Sequence, residues 1–388
     1  MQMNRRLQAQ SVANIWSVLV YKIPLFLVLL SLAASNLTAE TRHDIVRAIA
    51  NPAHTEFFSE ADPFLISIGG KVYLDDSDDL LGEVQKTVNM TVEALSSQGL
   101  FLLIPGQQQA LIDQLKKVDG KSVLTIANVN TAISIPSDKH ALQLNINASG
   151  RGAGTFVFDP EDEQTLQLAA VGLLLGASDL KSRVVASLLI VSDVGLSYSR
   201  PFFSSTSIKW GTAIKLQSIT LIERTRRITE YEESELLSWQ RDVKTQYHAN
   251  ADLGLTWQRD ALELSAAVIN VNPGEFRGPL NGRYNMRPAV KIGGAYNPGR
   301  IGFDFNWDVT PDEGFGVSED LQTASLATRY LLQDNLVFGL GYHHVQKGNF
   351  VDSVEAKLRY QFSSIYFEAS GRFAPGSIGG GLQAQMMF

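Results

Sequence analysis

Six histidines, His43, His54, His140, His248, His343 and His344, are the side chains best suited to acid–base or metal chemistry near neutral pH. They are scattered. Only His343 and His344 adjoin, and neighbours on a strand point to opposite faces, so they cannot chelate jointly as residues two apart would. The plain reading is a set of polar residues at strand ends. No cysteine occurs among the 388 residues, which removes thiol nucleophiles, disulfides and cysteine-based zinc sites. Serine and aspartate are plentiful, but no Gly-x-Ser-x-Gly elbow is present. Gly150-Arg-Gly-Ala-Gly154 has the glycine density of a phosphate loop. It lacks the Lys-Ser/Thr ending and the following βαβ unit, so it reads as the start of a loop. No catalytic residue, metal site or cofactor is predicted. An enzyme hiding its residues on strands is the remaining enzymatic alternative.

A second set of polar residues is more regular. Lys209, Lys215, Asp252, Glu263, Lys291, Asp304, Asp308, Arg329, Glu355, Lys357, Arg359, Glu368 and Arg372 all fall on the polar register of alternating segments. In 248–257, Ala249, Ala251, Leu253, Leu255 and Trp257 alternate with His248, Asn250, Asp252, Gly254 and Thr256. In 301–309, Ile301, Phe303, Phe305, Trp307 and Val309 oppose Gly302, Asp304, Asn306 and Asp308. Such period-two alternation marks half-buried strands. It recurs in 141–149 and 365–373, and near 63–73, 123–136, 185–199, 207–221, 261–271, 287–297, 322–331, 335–343, 353–361 and 379–388. About fourteen strands of roughly ten residues result, the length a tilted transmembrane strand needs. The charged set then lines a lumen, as cross-strand ion pairs or as a polar channel.

A secreted sandwich with its apolar face inward would alternate too. Two patterns favour a transmembrane antiparallel barrel. Tight turns near 259–260, 297–299, 333–334 and 363–364 alternate with longer connections at 222–246, 272–286, 310–321, 344–352 and 374–378. Outer-membrane barrels have short periplasmic turns and long outer loops. On that topology Tyr198, Trp257, Tyr296, Tyr330, Tyr360 and Phe388 close the descending strands, and Trp210 opens an ascending one. Aromatic residues with polar tips favour the membrane interface, so these seven form a predicted periplasmic girdle.

The N-terminus reads as an address. Arg5, Arg6 and Lys22 precede the apolar run 23–34, and Ala33-Ala34-Ser35 or Leu37-Thr38-Ala39 offers a cleavage site. This is a signal peptide over 1–39, or an uncleaved anchor from about Ile15. Cleavage removes three positive charges and no negative one, taking the net charge from -7 to -10. That acidity argues against nucleic-acid contact. A mean hydropathy of -0.01 excludes a bundle of spanning helices. Residues 40–62 form an N-terminal segment before a barrel over 63–388. Helical spacing at Leu81, Val84, Val88, Val92 and Leu95, and at Leu111, Leu115 and Val118, predicts a helical insertion within 75–121. The acidic run 75–79 favours a helix start. Asp159–Glu163 and the apolar stretch after it predict a second insertion at 160–178. The mixed charges of 222–246 read as a solvated loop.

The tail Leu382-Gln-Ala384-Gln-Met386-Met-Phe388 resembles the C-terminal assembly signal of bacterial outer-membrane barrels. Ala48-Ile-Ala-Asn51-Pro52-Ala53, Ala267-Val-Ile-Asn-Val-Asn-Pro273, Arg287–Tyr296 and Leu336–Tyr342 resemble the plasmid-transfer TraF outer-membrane proteins. Those belong with barrels related to the long-chain fatty-acid transporter FadL. The likeness runs from about 48 to 388; the absence of cysteine separates the chain from the thioredoxin-like protein that shares the TraF name. It implies an outer-membrane barrel without catalysis, placed by the barrel assembly machinery among outer-membrane lipid. The implied role is a surface accessory or conduit in conjugal transfer, with other transfer components as partners. A FadL-like transporter of small hydrophobic molecules is the alternative, and a secreted β-sandwich binding protein the second. Group members usually carry a glycine-rich segment before Asn-Pro-Ala, part of a plug. Here none of the residues between a cleavage near 39 and Asn51 is glycine, which weakens the expectation of a plug.

Overall fold

The computed structural model describes residues 47–55, 64–94, 106–135, 141–170, 179–202, 207–230 and 242–388. The predicted signal peptide, His43, His140, Leu95 and 171–178 lie outside the described residues. Fourteen strands close into an antiparallel barrel. In chain order they are β1 (Leu65–Asp75), β2 (Ser122–Ile135), β3 (Ala141–Val157), β4 (Arg183–Pro201), β5 (Ile208–Arg227), β6 (Val243–Arg259) and β7 (Leu262–Ile269). The short β8 (Gly274–Arg277) and β9 (Arg283–Met286) pair only with each other. The barrel resumes with β10 (Ala289–Tyr296), β11 (Ile301–Asp308), β12 (Gln322–Gln333), β13 (Leu336–Lys347), β14 (Ser353–Phe362), β15 (Ile365–Ala374) and β16 (Ser377–Met387). Closure is between β1 and β16, with Leu65 opposite Met387 and Asp75 opposite Ser377. A closed sheet leaves no unpaired edge, the condition for strands to sit in hydrocarbon.

The faces are inverted relative to a soluble sandwich. Ile214, Leu216, Tyr247, Leu326, Phe373 and Leu382 point outward and are exposed, Leu216 to 70%. Their alternation partners Lys215, Gln217, Asp252 and Glu355 point inward and are buried. This excludes the sandwich alternative.

The end carrying Leu65 and Phe388 has tight turns, two of them with Asp260 and Ser363 at positive φ. The other end carries the long connections. One expected long loop, 374–378, is instead a two-residue turn closed by Gly376 at φ 71°. Three helices stand at the loop end: α2 (Leu80–Ala94), α3 (Gln107–Val118) and α4 (Glu161–Ala170); a single turn, α1 (Arg47–Ala50), precedes the barrel. The Asp76 carboxylate accepts the Leu80 amide at 2.7 Å, satisfying one of the orphan N–H groups that starts α2. The buried face of α2 is Leu80, Val84, Thr87, Thr91 and Ala94; Leu81 and Val92, expected to pack, are exposed.

These helices bury Val84, Leu111, Ile112, Leu115, Val118 and Leu166 together with Phe156, Val184 and Val123. Phe156 and Val184, paired across β3 and β4, belong to the outward register, so the helices clad the outside of the barrel wall. That explains two corrections. Gly150–Gly154 lies inside β3, and 222–227 continues β5. Both segments lengthen a wall covered on its outer side, so neither is a loop start, and Arg224 is buried at 5% exposure where a solvated loop was expected. The strands β4 and β5 reach 19 and 20 residues.

Candidate functional site: a lumen with a floor and a roof

All thirteen charged residues picked out by alternation lie on the inward register, and strand neighbours bring most of them together. Lys215 and Asp252 face each other across β5 and β6 at 2.8 Å, their side chains 10% and 5% exposed. Lys291 meets Asp308 at 3.0 Å and Asp312 at 3.4 Å. Arg329 reaches Asp304 at 3.2 Å, and Arg359 reaches Glu368 at 2.7 Å. Glu355 collects Lys357 at 3.1 Å, Lys71 at 3.4 Å and His343 at 3.0 Å. Arg372 donates to Ser353 Oγ at 2.6 Å and lies 4.2 Å over the Tyr73 ring. Lys209 stands near the turn end beside the segment holding His54.

That segment is the floor. Asn51, Pro52 and Ala53 are buried against the inner faces of β4, β5 and β6. Asn51 Oδ1 accepts the Ala53 amide at 3.0 Å, and its Nδ2 donates to the Leu255 and Ala266 carbonyls at 3.4 and 3.3 Å. Ser199 Oγ donates to the Thr55 carbonyl at 2.5 Å. Arg47 pairs with Glu263, and His54 lies 3.9 Å from the same carboxylate. Burial, then the Arg47 charge, pushes the His54 imidazole down to about 4, so it is neutral at pH 7. The short, glycine-free N-terminus weakened the expectation of a plug, yet residues 47–55 occupy the lumen.

The roof is built from loops that turn inward. Phe276, Tyr284 and Met286 of the β8–β9 hairpin join Phe315 on the inward side chains Leu189, Ile219 and Leu221. Glu223 accepts the Leu280 and Gly282 amides at 2.9 and 3.2 Å, fixing the hairpin turn to β5. Phe350 folds over Tyr73, Leu124 and Ala153. Between floor and roof lies a cavity of about 340 Å³. Its wall mixes Leu189, Val191 and Met286 with Asn145, Asp193 and the Lys215–Asp252 pair.

The aromatics Tyr198, Trp210, Trp257, Tyr296, Tyr330, Tyr360 and Phe388 stand on the outward register at the turn end; Tyr198 and Trp210 contact edge to face at 5.9 Å. Leu382, Ala384 and Met386 also face outward, and the Phe388 amide donates to the Phe64 carbonyl. Among the described residues, no three His, Cys, Asp or Glu side chains are placed to hold a metal ion. His343 and His344 point to opposite faces: one contacts Glu355, the other Asp352 at 2.9 Å. Sequence reasoning missed Lys71, whose polar register at 63–73 would have revealed it. It also missed Arg47 and the roof residues, for which no periodic signal exists, and it read His54, which lies in the Pro52–His54 turn, as a strand-end polar residue.

The class of protein that the fold defines is a closed fourteen-strand antiparallel barrel with an inward-folded floor and roof. The chain belongs to the family described as "F plasmid transfer operon, TraF, protein", whose model matches residues 48–309, more than half of the sequence. No curated protein matches it. Among solved structures it is similar in fold to the Ralstonia pickettii toluene transporter TbuX, at 11% identity and a TM-score of 0.50, covering 90% of this chain and 96% of that one. It is similar to a deltaS2 mutant of the TodX monoaromatic hydrocarbon channel, at 12% identity, the same coverage and a TM-score of 0.50.

Proposed function

We propose that the protein is a non-enzymatic conduit or surface accessory in the bacterial outer membrane, serving conjugal transfer as the family description suggests. The observation that carries the membrane reading is the exposed apolar outer face on a closed barrel. In this reading the tight turns face the periplasm, the seven aromatics form the inner girdle, and the helices stand outside the cell. Leu382, Ala384, Met386 and Phe388 serve as the assembly signal. Fractionation with cold and boiled SDS tests the location: a membrane protein with a heat-dependent band shift supports it, and a soluble periplasmic protein sinks it. Mating by a deletion strain tests the role. Loss of transfer restored by the gene supports it; unchanged transfer removes it.

A second reading, uptake of small hydrophobic molecules, is favoured by one observation. Leu189, Val191 and Met286 give the cavity an apolar wall beside its charged one. Hydrocarbon uptake by cells with and without the gene separates the two readings.

A further inference from the structure

The inner wall opposite the floor has an order that ion pairing alone does not require. Directly opposed register partners around β1 and β16 to β11 define tiers of inward residues. One tier reads Lys71, Gly381, Ser370, Lys357, Gly339, Arg329, Gly302. It holds three cations and no acid, separated by glycine or serine. The next tier toward the loop end reads Tyr73, Gly379, Arg372, Glu355, Gly341, Ala327, Asp304. The tier on the other side holds Gln383, Glu368 and Arg359. Together they carry five cations against three carboxylates, a local excess of +2 in a chain whose net charge is -7.

Depth strengthens the asymmetry. The Glu355 and Glu368 side chains are 6% and 10% exposed, whereas their partners Lys71, Lys357 and Arg359 are 51%, 34% and 20% exposed. Asp304 and Arg329 follow the same order, 32% against 39%. The acids lie in the wall and the bases extend into the lumen. Small neighbours make this possible: Lys71 runs across Gly381, where a Cβ would come within 2.6 Å of its Cγ. Lys71 is the seventh residue of β1 from the turn end, so its half-exposed side chain borders open space well inside the barrel. Charges on low-dielectric walls focus the field along such a path, and rings of Lys and Arg are how pores select anions.

We infer that this wall is a water-filled path selecting for small anionic solutes, with the Lys71–Lys357–Arg329 tier as its filter. The inference rests on the conduit reading above and specifies the class of solute. The test is the reversal potential of the full chain reconstituted in planar bilayers across a KCl gradient. We expect chloride to be favoured over potassium by about threefold or more. Lys71→Gln, Lys357→Gln and Arg329→Gln, singly and combined, should lower that ratio stepwise toward unity. Each variant is checked for the heat-dependent band shift, and Arg329→Gln, at the tier's edge and away from Glu355, serves where the others fail to fold. A conducting barrel that favours potassium, or a ratio unchanged in folded variants, overturns the inference and leaves the conduit standing. A folded barrel with no conductance overturns both.

Discussion

The Asn51 side-chain oxygen occupies the space that a Cβ on Gly254 would fill. Gly211, one strand away, is pressed in the same manner by the backbone of Pro52 and Ala53. Two glycines on the inner wall therefore make the seat for Asn-Pro-Ala. Gly254→Val should unseat residues 47–55 while the barrel still closes. A spin label at Ala50, which is exposed, should change from restricted to mobile in that variant. An unchanged spectrum would show that the segment is held elsewhere.

This relationship also marks how far the sequence could be read. Each of the fourteen strands was visible, because an apolar outer face and a polar inner face impose period two on every one. The inward charges followed from that register. What is formed by packing across the lumen left no such trace. Phe276, Tyr284, Phe315 and Phe350 lie in segments without period, and nothing local says that those loops turn inward. The outer cladding of β3 to β5 misled in another way. Covered strand ends lose the regular exposed apolar pattern, so Gly150–Gly154 and 222–227 resembled loops. In α2, the alternatives Leu81 and Leu80 differ by one position, and threonines at 87 and 91 carry part of the buried face.

Leu216 gives a direct test of which face meets lipid. It lies midway along β5, exposed on the outward register. Leu216→Arg should destabilise the barrel by ~2–4 kcal/mol, the cost of arginine near a bilayer midplane. Urea unfolding from lipid vesicles measures it. A change below ~0.5 kcal/mol, typical of a water-exposed surface, would contradict the assignment.

The Lys215–Asp252 pair is buried and shared with the Asn270 amide, which donates to Asp252 at 2.8 Å. Removing one partner leaves an uncompensated charge. Asp252→Ala should cost ~3–5 kcal/mol, whereas Lys215→Met with Asp252→Leu should cost far less. Equal losses in the single and double variants would show that the charge is already hydrated from the cavity.

Acid should loosen the floor. His54 is held down to about 4, against ~6.5 for a free imidazole, by burial and by Arg47, with Glu263 opposing and Lys209 assisting. Its contribution to docking is fully present above ~6.5 and is lost as pH falls through about 4. The Ala50 spin label should therefore become mobile between pH 6 and 4, and His54→Gln should remove that transition.

The helices should respond at lower pH and for the opposite charge. Hydrogen bonds from Gln114 and Lys117 hold the Glu83 carboxyl down to about 2. Its stabilisation is present above the ordinary glutamate value of ~4.3 and disappears as pH falls toward 2. Helical circular dichroism should decline across that window while strand signal persists, and Glu83→Gln should flatten the decline.

The barrel wall is not of even height. Strands β7, β10 and β11 have 8 residues each, whereas β4 and β5 have 19 and 20. At ~3.3 Å per residue the difference is ~36–40 Å of chain, less the projection lost to tilt. One side thus rises as a buttressed parapet while the other ends low. In the membrane orientation proposed above, an object sliding along the bilayer from the low side would meet little more than a kerb; from the high side it would meet helices first.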